Sequence, residues 1–366
     1  MNLENNKILI IAGGTGGHVM PALAIACELM SQGIKVHWMG TQAGIETKLI
    51  SPYDIPMHYI QINHFRGKGI LGLIKAPIYI LKAIVQSVKI IRTIKPQSVL
   101  SMGGYVSGPG SIAAWLCRCP LIIHEQNAVP GLTNRLLAPI ASLIMTGFPK
   151  LFTKHAHKTK YTGNPVRLSI LNLSAKTNNH LHLVRPLRLL ILGGSLGAGI
   201  LNEIIPQALA DVQLSIAPEV WHQTGEKQLE QTREAYKKRG ITANVDSFIE
   251  NMAHAYAWAD CVICRSGALT IAELAAAGLA SILVPFPAAA DDHQTENAKY
   301  LTQHGAAILV PQSQLTISYM SRLLTELLED SNKLRAMGMQ AKSLAKPDAT
   351  QDVVQYLLKG FYVCLN

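Results

Sequence analysis

A short apolar run that ends in a glycine-rich turn and a helix start occurs twice in this chain, about 180 residues apart. The first copy runs from Lys7 to Ala12, continues as Gly13-Gly14-Thr15-Gly16-Gly17-His18, and enters an apolar helical pattern from about Pro21 to Gln32. The second runs from Leu189 to Leu192 and continues as Gly193-Gly194-Ser195-Leu196-Gly197-Ala198. Short apolar runs bounded by glycine read as strands buried on both faces, and such strands alternating with helices build parallel sheets. A doubly wound sheet begins once, so two beginnings this far apart predict two Rossmann-like α/β domains. Glycines let a backbone come close to a ligand, and the following helix start offers its N–H groups to phosphate. The boundary is expected near Thr162-Gly163-Asn164-Pro165, where glycine and proline end the first sheet. That gives a first domain over residues 1–164 and a second over 165–346, with a last helical pattern from Thr350 to Phe361.

Neither loop is a dinucleotide fingerprint. After Gly14 and Gly16, Val19 stands where the third glycine would be, and the second strand, Val36 to Met39, ends in Gly40-Thr41 with no acid for an adenosine ribose. An NAD enzyme is disfavoured on both counts. With 49% hydrophobic and 15% charged residues the chain is globular, and no apolar run reaches the length of a membrane span. The N-terminus enters a strand with no secretory core. Cys261 and Cys264 lie on an expected buried strand, and Cys117 and Cys119 lack a second pair for zinc, so a reduced, metal-free, cytosolic protein is expected. Charge is lopsided: residues 1–170 hold 17 Lys and Arg against five Asp and Glu, whereas residues 171–366 hold 16 against 18. The first half must face something anionic, such as lipid, nucleic acid or a phosphorylated substrate. No zinc-finger, RNA-recognition or helix-turn-helix signature speaks for nucleic acid.

The densest chemistry lies in residues 260–298. Cys261 to Cys264 reads as a buried parallel strand, ending in Arg265-Ser266-Gly267 before a run of helix formers from Ala268, with Ser266 as the expected N-cap. Ser266, Thr270 and Glu273 follow helical spacing, which puts Glu273 roughly 10 Å along the axis. A diphosphate on the helix end would bring a ribose to Glu273, although a solvated surface glutamate is the plainer reading. After the strand Ser281 to Val284, Asp291-Asp292-His293-Gln294-Thr295-Glu296-Asn297 suits a hydroxyl-rich sugar, or simply an acid-capped helix start. A third glycine loop, Gly103 to Gly110, follows the strand Ser98 to Leu100, and the strand Leu121 to Ile123 ends in His124-Glu125-Gln126-Asn127.

RSGALTIAE with DDHQTENA, and GGTGGH, GGYVSGPG, HEQN and TGNPVR with them, closely resemble the MurG family, bacterial transferases that add N-acetylglucosamine to lipid I. The likeness covers nearly the whole chain outside residues 168–186. It implies a GT-B fold, two facing Rossmann-like domains with a cleft between them, and a C-terminal helix from about residue 347 packing back on the first. The reaction implied is inverting transfer from UDP-GlcNAc to the C4 hydroxyl of the MurNAc unit of lipid I, giving lipid II, at the cytoplasmic face of the bacterial inner membrane. No D-x-D motif occurs, Asp291 and Asp292 being adjacent, so no metal and no other cofactor is expected.

The resemblance puts Thr15, Gly16, Gly17, Asn127, Arg167, Ser195, Ile249, Gln294 and the run Ala268, Leu269, Thr270, Ile271, Ala272, Glu273 in the donor site; Gly14, Tyr105 and Ser107 are candidates for the acceptor site, although Tyr105 could bind either sugar or simply pack. The family usually carries Gln where this chain has Leu196. His18 is the first candidate base, since it closes a glycine loop and titrates near neutrality; it could equally only bind the acceptor or cap the helix. Glu125 is the rival base, unless it merely orients Asn127 or His124. Arg167 and Arg265 are candidates for the diphosphate.

A lipid-linked acceptor requires docking on an anionic membrane surface. Lys68, Lys75, Lys82 and Lys89 recur every seven residues beside Leu71, Ile78 and Val85, with Pro77 expected to start or kink the helix. A core helix with solvated lysines is the ordinary alternative. Two rivals for the whole function stay open: a UDP-sugar epimerase on the same fold, and a non-catalytic nucleotide-sugar binding protein.

Overall fold

The computed structural model describes residues 6–62, 70–173, 185–194, 196–214 and 216–363. It divides into two compact units, Met1–Val166 with Asp348–Asn366, and Arg167–Pro347. Each is organised around its own parallel sheet.

In the first unit the strands are β1 (Lys7–Ile11), β2 (Lys35–Gly40), β3 (Met57–Tyr59), β4 (Ser98–Ser101), β5 (Leu121–Glu125), β6 (Leu143–Thr146) and β7 (Thr159–Tyr161), in the order β3-β2-β1-β4-β5-β6-β7. Alternate residues of β1 feed opposite cores. Ile8 and Ile10 pack with the helices Gly16–Ser31 and Ala349–Val363, whereas Leu9 and Ile11 pack with Ile70–Ile94 and Ser107–Leu116. Helix Ala349–Val363 contributes Val353, Val354 and Leu357 to the first of these cores. The strand order reverses at β1 and β4, which pair from Ile8↔Ser98 to Ile11↔Ser101. The loops after these two strands, carrying Gly13-Gly14 and Gly103-Gly104, therefore leave the sheet side by side at its topological switch point.

The second unit holds β8 (Arg188–Leu192), β9 (Glu219–Gln223), β10 (Ala243–Asp246), β11 (Cys261–Cys264), β12 (Ala280–Leu283) and β13 (Ala307–Leu309), in the order β10-β9-β8-β11-β12-β13. Here the order reverses between β8 and β11, so the loop Gly193–Ala198 and the turn Arg265–Gly267 emerge together. All four residues of β11 are buried, as a strand flanked by β8 and β12 and covered on both faces must be. Burial pushes the Cys261 thiol up to about 12 and the Cys264 thiol higher still, which suits packing and not redox chemistry.

Several local expectations are corrected. Pro21 does not start its helix, which begins at Gly16; the glycines themselves take up the first turn. Pro77 does not start its helix, which runs from Ile70 to Ile94. His124 and Glu125 belong to β5 and do not follow it. Ser266 is not the N-cap of helix Ala268–Ala277. That place falls to Gly267 in extended backbone, while the Ser266 hydroxyl is buried with no hydrogen-bond partner. Among the described residues, no helix is long and apolar enough to cross a membrane.

Candidate active site

In the second unit a pocket of about 160 Å³ opens beside the β8 and β11 ends, lined among others by Gly194, Ile249, Tyr256, Arg265, Thr270 and Glu273. Glu273 is only 5% exposed, so it is not a solvated surface acid. Helix Ala268–Ala277 packs against helix Met252–Trp258 and helix Leu168–Leu171, and each supplies or adjoins a partner for the carboxylate. Arg167 Nη2 donates to Oε1 at 3.0 Å, and the Tyr256 hydroxyl donates to Oε2 at 3.0 Å. Burial pushes the Glu273 carboxyl up, and the Arg167 charge together with these two hydrogen bonds pulls it partly back. Arg167 Nε is buried without a partner. Thr270 lines the pocket one turn before Glu273.

Other donor candidates sort by what they touch. The N–H of Ile271 is taken up by Gly267 O at 3.0 Å and its side chain is core, as is that of Ala268. Ahead of Ile271 lie the N–H groups that a helix start leaves without an internal acceptor, those of Leu269 and Thr270 among them. Leu269 and Ala272 are partly exposed. Ile249 is buried yet lines the pocket, and its N–H donates to Gln223 Oε1 at 3.4 Å. Gln294 accepts from the Phe286 N–H at 2.9 Å. Ser195 lies outside the described residues; its neighbour Leu196 is 94% exposed. Arg265 lines the same pocket and is also tied to the loop after β12. Its terminal nitrogens donate to Val284 O, Pro285 O and Gln312 Oε1 at 2.8–3.1 Å, and its guanidinium stacks over Phe286, so it braces the loop after β12.

In the first unit His18 is partly exposed at the start of helix Gly16–Ser31, with Nδ1 3.1 Å from Thr15 Oγ1. Its ring lies along Gly103 and Gly104, where a Cβ would stand 3.5 and 3.6 Å from its nitrogens. Both glycines have positive φ, 90° and 84°, so the turn excludes side chains on conformational grounds as well. Tyr105 faces Gly14 and its hydroxyl is 3.2 Å from Thr41 Oγ1. Gly16 and Gly17 form the helix's first turn, and a Cβ on Gly16 would meet open space. Ser107 is fully buried and donates to Gly103 O at 2.6 Å, which makes it a clamp on the third glycine loop and removes it from acceptor contact.

Glu125 is buried with both oxygens engaged. Oε1 accepts from the Asn127 N–H and Nδ2 at 3.0 and 3.4 Å; Oε2 accepts from the Gly131 N–H and Asn134 Nδ2 at 2.9 and 2.8 Å. Its four lone-pair sites are filled, which suits an organiser of the Asn127 loop better than a base. His124 is fully buried against Gly163 O, and burial pushes it down to about 4, so it is neutral.

Residues 8–146 match the glycosyltransferase family 28 N-terminal domain and residues 188–353 the glycosyltransferase family 28 C-terminal domain. The chain belongs to glycosyltransferase family 28. A relative from Stutzerimonas stutzeri is 51% identical over 353 residues, covering 96% of this chain and 98% of that protein. Another from Pseudomonas putida is 49% identical over 359 residues, covering 98% and 99%. Both bear the name UDP-N-acetylglucosamine–N-acetylmuramyl-(pentapeptide) pyrophosphoryl-undecaprenol N-acetylglucosamine transferase. Among solved structures, that of Acinetobacter baumannii MurG matches with a TM-score of 0.83 at 41% identity, covering 97% of this chain and 99% of that one. The two Rossmann-like units are those of the GT-B fold. A UDP-GlcNAc 2-epimerase from Neisseria meningitidis, at 13% identity and a TM-score of 0.66, shares the fold alone.

Three residues of this family 28 chain escaped the reading of its sequence. Gln223 ties the second glycine loop to β9 by donating to Gly194 O at 2.9 Å. Tyr256 was hidden in an apolar helix. Glu46, fully buried, accepts from the Thr41 N–H and hydroxyl at 2.8 and 2.9 Å and from the Gly14 N–H at 3.3 Å, pinning the first glycine loop to the end of β2. A readable signal existed for Glu46. Gly40 and Gly44 precede it within six residues, and a Cβ on either would fall within 2.8 Å of its side chain.

Helix Ile70–Ile94 carries a different surface. Ala83, Ser87, Ile91 and Ile94 face the core, while Ile78 and Leu81 are 70% and 63% exposed and Val85 is also exposed. Lys82 and Lys89 are exposed on the same side as Ile78 and Val85. Leu71 and Lys75 fall on this helix, and Lys68 lies outside the described residues.

Proposed function

We infer that the chain transfers N-acetylglucosamine from UDP-GlcNAc to the C4 hydroxyl of the MurNAc unit of lipid I, giving lipid II for peptidoglycan synthesis. The observation that carries this reading is about 50% identity, over nearly the full length, to transferases of that name. In the second unit, the buried Glu273 is the acceptor for the ribose hydroxyls, and the start of helix Ala268–Ala277 receives the diphosphate, with Arg167 beside it. This arrangement calls on no metal. In the first unit His18 is the base. Its partial exposure supports the role, and Thr15 orients Nδ1. As the C4 oxygen attacks the anomeric carbon, His18 takes its proton. The anomeric carbon–oxygen bond to the diphosphate breaks, UDP leaves with the electron pair, and the configuration inverts. Gly14 and Tyr105 serve the acceptor.

The exposed Ile78, Leu81 and Val85, with Lys82 and Lys89 on the same helix, form the dock on the anionic cytoplasmic leaflet where lipid I resides. The test is nucleotide release from UDP-, TDP- and GDP-sugars with and without a lipid I analogue. Release of UDP from UDP-GlcNAc that depends on the analogue is expected. Conversion of UDP-GlcNAc without the analogue, or binding without turnover, would overturn the reading in favour of an epimerase or a binding protein.

A further inference from the structure

We propose that Tyr256 is a positioning residue for donor recognition: its hydroxyl holds the Glu273 carboxylate in the orientation that leaves both oxygens open to a ribose diol. The proposal rests on the reading of Glu273 as the ribose acceptor.

Tyr256 sits on helix Met252–Trp258, is 2% exposed, and donates to Glu273 Oε2 at 3.0 Å. Burial and the neighbouring carboxylate push the phenol far above its ordinary value, so it stays protonated and stays a donor wherever the enzyme works. On the other oxygen, Arg167 uses Nη2 alone, at 3.0 Å. A guanidinium and a carboxylate prefer to meet through two parallel hydrogen bonds. Arg167 has the means, because its Nε is buried and lacks a partner. The carboxylate does not turn to meet it. The Tyr256 hydrogen bond on Oε2 is the restraint that opposes such a turn.

Recognition follows from that restraint. Each carboxylate oxygen can accept two hydrogen bonds. With Arg167 on one and Tyr256 on the other, each keeps one lone pair, and two adjacent lone pairs fit two adjacent hydroxyls. A carboxylate collapsed onto Arg167 would have both oxygens committed to one cation. Tyr256 thus selects ribonucleotides over 2′-deoxyribonucleotides without touching the sugar itself.

The test compares wild-type protein with Tyr256→Phe, Glu273→Ala and a chain carrying monofluorotyrosine at position 256. Steady-state turnover is measured with UDP-GlcNAc and a lipid I analogue, and calorimetry is run with UDP and 2′-deoxy-UDP. Tyr256→Phe should raise the donor KM about tenfold with a much smaller change in kcat, and should weaken UDP binding far more than 2′-deoxy-UDP binding. Loss of a donor to the ionised carboxylate pushes Glu273 further up, so the acid limb of kcat/KM should move to higher pH. A defect confined to packing would do neither. Monofluorotyrosine keeps the ring and strengthens the donor, so it should preserve or sharpen the preference for UDP even if the phenylalanine variant folds poorly. If Glu273→Ala leaves ribose discrimination intact, the reading of Glu273 itself falls. If Glu273→Ala abolishes discrimination while Tyr256→Phe retains it in full, the role of Tyr256 falls alone; where Tyr256→Phe does not fold, loss of discrimination in the fluorinated chain overturns it.

Discussion

Truncating Glu125 separates an architectural acid from a catalytic one. In Glu125→Ala four donors lose their acceptor: the N–H groups of Asn127 and Gly131, and the side-chain amides of Asn127 and Asn134. The amides can turn, and Asn134 Nδ2 already lies 3.5 Å from His124 O. The two backbone groups cannot. A buried donor left unsatisfied costs about 1–3 kcal/mol, and water entering the space returns part of that, so a loss of about 2–4 kcal/mol is expected. For a domain of this size it amounts to a fall in Tm of roughly 5–15 °C. The assay is thermal unfolding of variant and wild type, with turnover on a lipid I analogue measured well below both transitions. The folded variant should keep turnover within about tenfold of wild type, with a raised donor KM because Asn127 is no longer held by the acid. His18→Ala should lose about 100-fold or more in turnover, with unchanged UDP-GlcNAc affinity and little change in Tm. A Glu125→Ala protein that melts like wild type yet loses 100-fold in turnover would refute the argument and make Glu125 the base.

Acid should destabilise the protein through its buried histidines. His124 is pushed by burial down to about 4 and His222 to about 3, so the folded chain keeps them neutral while the unfolded chain protonates them near 6.5. Stability present at pH 7 should therefore be lost as pH falls from about 6.5 towards 4, by roughly 3 kcal/mol for His124, and urea midpoints for His124→Gln should fall less steeply than wild type over that window. At the dock, Lys82→Glu with Lys89→Glu should weaken binding to anionic vesicles by at least about 2 kcal/mol, roughly 30-fold, while turnover of a short-chain soluble acceptor persists. Binding that survives both this change and Ile78→Glu with Leu81→Glu excludes the helix as the docking surface.

The strands were the most legible part of the chain, and β11 shows why. Four apolar residues between Asp260 and an Arg-Ser-Gly turn read as a strand covered on both faces, and Cys261–Cys264 is that strand residue for residue. Helix starts were less legible. Pro21 and Ser266 carry strong local preferences for N1 and N-cap, yet neither holds that place. The first helix begins at Gly16 behind Thr15 and the second at Ala268 behind Gly267, both preceding residues lying in ordinary extended backbone. The exposed apolar face of Ile70–Ile94 was only half legible. Its seven-residue repeat fits a dock or a solvated core helix, and what the repeat does not tell is that Ala83 and Ile91 are buried while Ile78 and Leu81 are exposed.

The buried acids of the two units mark where reading stops. Glu46, Glu125 and Glu273 are all buried. What separates them is the number and origin of their donors, and those of Glu46 and Glu273 come in part from far along the chain. Glu46 meets Gly14 across 32 residues, and Glu273 meets Arg167 across 106. Glu125 draws its donors from a loop within nine residues, so its confinement is local and nearly complete. A carboxylate whose lone pairs are all filled by its own chain has nothing left for a substrate and acts by holding its donors in place. Glu273 is held on both oxygens and filled on neither, and in a buried site an acid kept in that state costs free energy that packing alone would not maintain. Binding a diol is what such an acid can do, and Tyr256 and Arg167 are what hold it ready.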